Sequence, residues 1–212
     1  MCKFLLNVLV SSLTGVGASF FVWWLTFRYL SPKLKLGKTI SKLPTNDNKS
    51  KVKYRFKFEN VGKRNIIDVE VIVRLRIQGI NKNFPNNWQV IYLPTSSLEY
   101  NRVAIVRPTT ESRVRPILEI KLYECDYFQK DFFPEEIKTK SKNGELTLED
   151  VMQLGTRSEF RIIMLGTDEY SGARKFFESK IFDRNDIIDG SFDINGIEVQ
   201  RDNTTRRLQQ GV

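Results

Sequence analysis

The sequence predicts a mainly β protein in which a single N-terminal transmembrane helix precedes an antiparallel β-sandwich. Three observations lead there. Phe4 to Phe27 is a run of 24 residues without a charge. "KVKYRFKFE" at 51–59 alternates strictly between basic and apolar residues. The rest of the chain is a succession of short apolar runs set off by turn residues. The expected organisation is an anchor over 1–30, a basic juxtamembrane linker with a first strand over 31–50, the sandwich over 51–202 and a flexible polar tail over 203–212.

The anchor comes first. A spanning helix needs about 20 predominantly apolar residues, and the run suffices. A cleaved secretory signal has a shorter apolar core, and cutting at "GVGAS" would leave "FFVWWLTF" as an exposed start of the mature chain. From Met1 to Asn46 there are six basic side chains (Lys3, Arg28, Lys33, Lys35, Lys38 and Lys42) and no acid. Five of the six follow the run, so the positive-inside rule expects a single-pass cell-membrane protein with its C-terminal domain in the cytoplasm. Trp23, Trp24, Phe27 and Tyr29 then form an aromatic belt at that interface. Ser11, Gly15 and Ser19 recur at spacing four, with Ser12 and Ala18 beside them. Small residues at that spacing let two spanning helices pack closely.

Pro32 ends the helix. "KLKLGKTISKL" alternates, and "PTNDNKS" reads as a loop. Val52, Tyr54, Phe56 and Phe58 share one face of the next strand, with Lys51, Lys53, Arg55 and Lys57 on the other. "NVGKRN" reverses the chain into "IIDVEVIVRLRI", where Ile67, Val69, Val71, Val73, Leu75 and Ile77 are expected on the core face. Further strands are expected at 88–93, 102–107, 115–124, 160–165 and 173–182. "SFDINGIEVQ" reads as a hairpin turning at Asn195-Gly196. Only "TLEDVMQLG" suggests a helix, with Thr147 as N-cap and Glu149 and Asp150 in its first turn.

Composition excludes several function classes. The net charge is +9, but about +3 of it lies beyond the anchor and its flank, which argues against a nucleic-acid-binding surface. The aromatic and basic residues of 51–59 fall on opposite faces of a strand, so they cannot form one stacking platform. There is no histidine, hence no ordinary general base near neutral pH. P-loop, dinucleotide-binding and GxSxG patterns are missing too, so a non-enzyme without cofactor or metal is expected. Ser191 and Asp202 stand where a calcium loop wants Asp and Glu, which leaves "SFDINGIEVQRD" a hairpin. The two cysteines, Cys2 and Cys125, flank the anchor and offer no disulfide framework. "YECDYFQKDFFPEE" packs aromatics among acids and fits either a protruding partner-binding loop or a lid over one edge of the sandwich.

The segments "SPKLKLGKTISK" and "YRFKFENVGKRNIIDVEVIVRLRI", and later "TLEDVMQLGTRSEFRIIMLGTDEYSGARKFFESKIFDRNDIIDGSFDI", resemble in order and spacing the cytoplasmic domain of inward-rectifier potassium channels. The resemblance covers about half of the chain. It implies an immunoglobulin-like sandwich that assembles around a symmetry axis, as a tetramer, beneath the membrane. It also implies that basic residues between helix and sandwich, here Arg28, Lys33, Lys35 and Lys38, meet anionic lipid. The sequence has no second spanning run and no TVGYG-like filter. The expectation is therefore a channel-like sensing domain without the pore: a non-enzymatic, homo-oligomeric module that contacts lipid headgroups and binds no nucleic acid. The competing reading is an effector of the bacterial-defence kind, in which a small-molecule ligand such as a nucleotide clusters the helices until the bilayer leaks.

Overall fold

The computed structural model describes residues 2–30, 32–45, 48–81, 83–95, 102–110, 115–193 and 196–201. The expected tail over 203–212 and the hairpin residue Asn195 lie outside them. Helix α1 spans Cys2–Leu30. Within it, Leu9–Thr26 is long and apolar enough to cross a membrane, and none of that stretch is buried. The Thr14 hydroxyl donates to the carbonyls of Val10 and Ser11, both at 3.0 Å, so it needs no water.

The remainder is mainly β. Strands β1 (Leu34–Leu36), β2 (Ile40–Thr45), β3 (Asn48–Asn60), β7 (Ile117–Ile120), β10 (Ile187–Phe192) and β11 (Val199–Arg201) make one sheet. Strands β4 (Ile66–Gln78), β5 (Trp88–Leu93), β6 (Arg102–Val106), β8 (Arg157–Asp168) and β9 (Arg174–Glu178) make the other. In the first sheet β3 is central. Tyr54 and Arg55 pair with Lys42 and Ser41 of β2 and also with Ile120 and Glu119 of β7, so those two strands lie on its opposite edges. In the second sheet β4 pairs with β8 along its whole length. Among the described strand pairs β2–β10 alone is parallel, and the Ser41 hydroxyl secures it by donating to the Gly190 carbonyl.

The two sheets share one core. Tyr54, Phe56 and Phe58 are at most 1% exposed, as are Ile66, Val69, Val71, Val73, Leu75 and Ile77 from β4. Burying each such side chain stabilises the fold by roughly 1.5–3 kcal/mol. The core face of β4 begins one residue earlier than its alternation predicts. Ile66 is buried and Ile67 is not, because a bulge shifts the register between Ile67 and Glu70. Asp68 turns the chain there at φ 49°, a left-handed conformation that aspartate tolerates better than bulkier residues do.

Other expectations are shortened or joined by new elements. The strand expected over 115–124 stops at Ile120 and gives way to a 3-10 turn at Leu122–Glu124. The one expected over 173–182 covers Arg174–Glu178, with Phe182 adding an isolated bridge to Phe160. "PTNDNKS" belongs largely to the ends of β2 and β3. "TLEDVMQLG" forms helix α3 (Leu148–Met152), with Thr147 and Asp150 completing a capping box. A second helix, α2 (Glu135–Asn143), was not expected. It ends at Gly144, whose φ of +74° suits the left-handed cap.

The acidic-aromatic segment is a lid. Leu122, Phe128, Phe133, Ile137 and Leu146 all join the core at no more than 4% exposure. Tyr127 packs edge-on to Phe128, Phe132 and Phe133 at 6.0–6.4 Å between ring centroids. The protruding-loop alternative is thereby overturned. Cys125 is buried in this lid, and burial pushes its thiol above the ordinary value.

Candidate membrane-facing site

Helix α1 leads almost directly into β1, and the short connection is tied to the sandwich. The Lys33 carbonyl accepts from the backbone of Val61 at 2.8 Å and Gly62 at 3.2 Å. The Pro32 carbonyl accepts from the Lys175 ammonium at 2.9 Å. A side chain at position 62 would meet the Lys33 nitrogen at 3.0 Å, so glycine is what lets the two backbones approach. The β3–β4 reversal is shaped by buried Asn60, whose amide donates to the carbonyls of Arg64 (2.6 Å) and Val106 (3.0 Å). Its side-chain oxygen accepts from Gly62 at 2.9 Å.

The β8–β9 turn packs beside that reversal. Asp168 is 1% exposed and accepts from the backbone of Tyr170 (3.2 Å) and Ser171 (2.7 Å), from the Ser171 hydroxyl (2.7 Å) and from Arg64 (3.3 Å). Burial alone would raise its pKa. The Ser171 hydrogen bonds and the Arg64 charge outweigh burial and hold the carboxyl below the usual range. The Arg64 guanidinium lies 5.1 Å from the centre of the Tyr170 ring, which is 77% exposed.

The predicted basic residues do not gather into one ring. Arg28 lies in the last turn of α1. Lys33 is exposed at the joint. Lys35 is exposed too, but stands 3.7 Å from Glu59, which also holds Arg115. Counted along the sequence, Lys35 has no acidic neighbour before Asp47; across the sheet it has one. Lys38 is exposed farther down β3, since Gly37 bonds the Lys57 carbonyl. From Lys33 to Lys38 the chain covers up to about 17 Å, some two Debye lengths at physiological salt. Ser11, Gly15 and Ser19 are exposed on α1, and Gly15 has nothing within 4 Å.

Residues missed in the sequence share the α1 end of the sandwich instead: exposed Lys63, Arg107 and Tyr170, with half-buried Lys175. The available signal was "GKRN". An antiparallel return of β1 onto the end of β3 must bring that reversal back beside the end of α1.

The described residues also line two clefts. One of about 430 Å³ is lined by Lys35, Glu59, Arg115 and the β10–β11 hairpin. Beside it Lys57, 2% exposed, donates to the Asp193 carbonyl at 2.8 Å, and burial and then Arg115 push its pKa down. The other, about 650 Å³, lies between α3 and a 3-10 turn and is lined by Glu149, Met152, Ser158, Asp183, Arg184 and Asn185. No group of three His, Cys, Asp or Glu side chains comes together to hold a metal ion among the described residues. No protein-family model and no curated protein matches the chain.

Proposed function

We propose that the chain is a membrane-tethered, non-enzymatic binding or sensing module. Helix α1 is its anchor, and the sandwich lies on the cytoplasmic side and self-associates beneath the bilayer. Arg28 and Lys33, with Lys35 and Lys38 below them, face anionic headgroups. The immunoglobulin-like, inward-rectifier-like character of the sandwich belongs to this reading, and the order of long paired strands supports it. The observation that carries the reading is the joint: the carbonyls of Pro32 and Lys33 are bonded to β9 and to the β3–β4 reversal, so the domain is held against the end of the helix.

Two experiments test it. A reporter that works only outside the cytoplasm, fused after Val212, is expected to stay silent; a strong signal overturns the orientation. A fragment of residues 28–212, whose core includes no residue of α1, is expected to bind anionic vesicles at low salt and release them as salt rises. Near an anionic leaflet each basic residue contributes about 1 kcal/mol. A fragment that ignores such vesicles removes lipid contact from the proposal.

The ligand-triggered effector is the second reading. The exposed small-residue face of α1, open at Gly15, favours it, because clustering of anchors requires such a face.

A further inference from the structure

We propose that the loop end of the sandwich beside α1 is itself a membrane-contact face, built by the β3–β4 reversal (61–64) and the β8–β9 turn (169–172), on which the domain stands upright in the headgroup layer. The inference rests on α1 being the anchor, and it concerns residues far from the anchor in sequence.

Geometry carries it. Pro32 is two residues beyond Leu30, the last residue of α1, hence within about 7.6 Å of the helix end. Val61, Gly62 and Lys175 are hydrogen-bonded to Pro32 and Lys33, so they share that depth. From Thr26, the end of the apolar span, to Leu30 the helix rises about 6 Å. The headgroup layer of one leaflet is about 5–8 Å thick. An anchored α1 therefore keeps Pro32, and the loops bonded to it and Lys33, within about 14 Å of the acyl-chain boundary, in the headgroup layer or beside it.

The side chains suit the place. Tyr170 is 77% exposed and Val61 46% exposed, both at loop tips. Tyrosine is enriched at membrane interfaces because its ring is apolar and its hydroxyl polar. The ring packs against Arg64, whose charge is matched by Asp168, so the aromatic tip is braced. At the same end of the sandwich stand the cations Lys33, Lys63, Arg107 and Lys175. The exposed acid on these loops, Glu169, is engaged by the Asn65 amide at 2.7 Å. The partner is thus a bilayer containing anionic phospholipid, met by an aromatic tip inside a basic rim.

The test uses the full chain in vesicles, with Cys2→Ser to leave buried Cys125 as the native cysteine. Spin labels are placed singly at Val61→Cys, at Tyr170→Cys, at Phe84→Cys in the β4–β5 loop as a control, and at Val16→Cys inside α1. Collision with a water-soluble nickel chelate is compared with collision with oxygen. Labels at 61 and 170 are expected to meet the chelate several-fold less often than the label at 84. That protection should be greater in vesicles of phosphatidylcholine with phosphatidylglycerol than in phosphatidylcholine alone. With the label at 61, Tyr170→Ala should weaken protection, and Lys33→Gln with Arg107→Gln should abolish the dependence on anionic lipid. If 61 and 170 are as accessible as 84 while 16 reads as acyl chain, the anchor stands and the contact face is overturned. If 16 itself meets the chelate, the anchor reading fails and this inference with it.

Discussion

The hydroxyl of Tyr54 donates to the carboxylate of Glu149 at 2.7 Å, joining the central strand of one sheet to α3 across 95 residues of sequence. The same oxygen accepts from the Leu148 backbone at 2.8 Å, and the other carboxylate oxygen of Glu149 takes the Lys42 ammonium at 2.6 Å. Tyr54→Phe keeps the packing and strands these partners. A loss of about 1–3 kcal/mol is expected in denaturant unfolding of the detergent-solubilised chain. A midpoint unchanged from wild type would show the network to be incidental.

The same residue sets an alkaline limit. Burial, reinforced by the charge and hydrogen bond of Glu149, holds the Tyr54 phenol far above the ordinary value of about 10. The folded protein keeps this proton where the unfolded chain loses it. Its contribution is therefore intact below pH 10 and declines above it. Unfolding free energy between pH 9 and 11.5 should fall more steeply in wild type than in Tyr54→Phe; parallel curves would exclude the linkage.

Asp168 governs the acid side with the opposite sign. Its carboxyl is held low by Ser171 and Arg64 against the effect of burial, so its contribution is present above about pH 4 and is lost as pH falls through the folded-state value. Asp168→Asn should flatten the acid limb of the stability profile and loosen the β8–β9 turn, read as faster amide exchange at Tyr170 and Ser171. An acid limb as steep as that of wild type would assign the effect elsewhere.

Phe128 distinguishes a lid from an appendage. It is fully buried in the core, whereas Phe176 on β9 is 54% exposed. Phe128→Ala should cost about 3–5 kcal/mol and Phe176→Ala about 0.5 kcal/mol or less. Equal, small losses would mean that 121–146 folds apart from the sandwich.

Gly15→Leu fills the open notch on α1. If the small-residue face packs helix against helix, crosslinked oligomers in membranes should diminish relative to wild type, with β-sheet circular dichroism unchanged. Undiminished crosslinking would move self-association to the sandwich.

Much of the fold was legible because alternation is a strong local signal. Tyr54, Phe56 and Phe58, and Val69 to Ile77 at every second residue, lie inside, although Lys57 is buried as well, and Thr147 announced α3 by its cap. What stayed hidden depended on distance or on weak amphipathicity. Only Ile137 and Ser141 of α2 are buried, so its apolar stripe is too thin for periodicity to register. Its readable marks were Glu135 and Glu136 in the first turn, Lys140 and Lys142 in the last, and Gly144 beyond. The bulge at Asp68 shifts the face of β4 without any Gly or Pro to mark it. At the candidate site the linear run of lysines was plain. That Lys35 faces Glu59, and that Lys63 and Tyr170 come back to the end of α1, required the pairing of strands far apart in the chain.

The parallel seam between β2 and β10 has a consequence for biosynthesis. Ile40 leaves the ribosome early, but its partner Ile187 must wait until the lid, both short helices and all strands of the second sheet have been made. At translation rates of about 5–20 residues per second the interval is on the order of ten seconds. Throughout it the N-terminal edge of the first sheet is open on a nascent chain that already carries the long apolar helix α1. An unpaired edge is a template for aggregation, and lysine is among the residues that discourage it. Lys38, just before that waiting edge, and Lys42, within it, are charges of the kind that discourages pairing with another chain until β10 arrives.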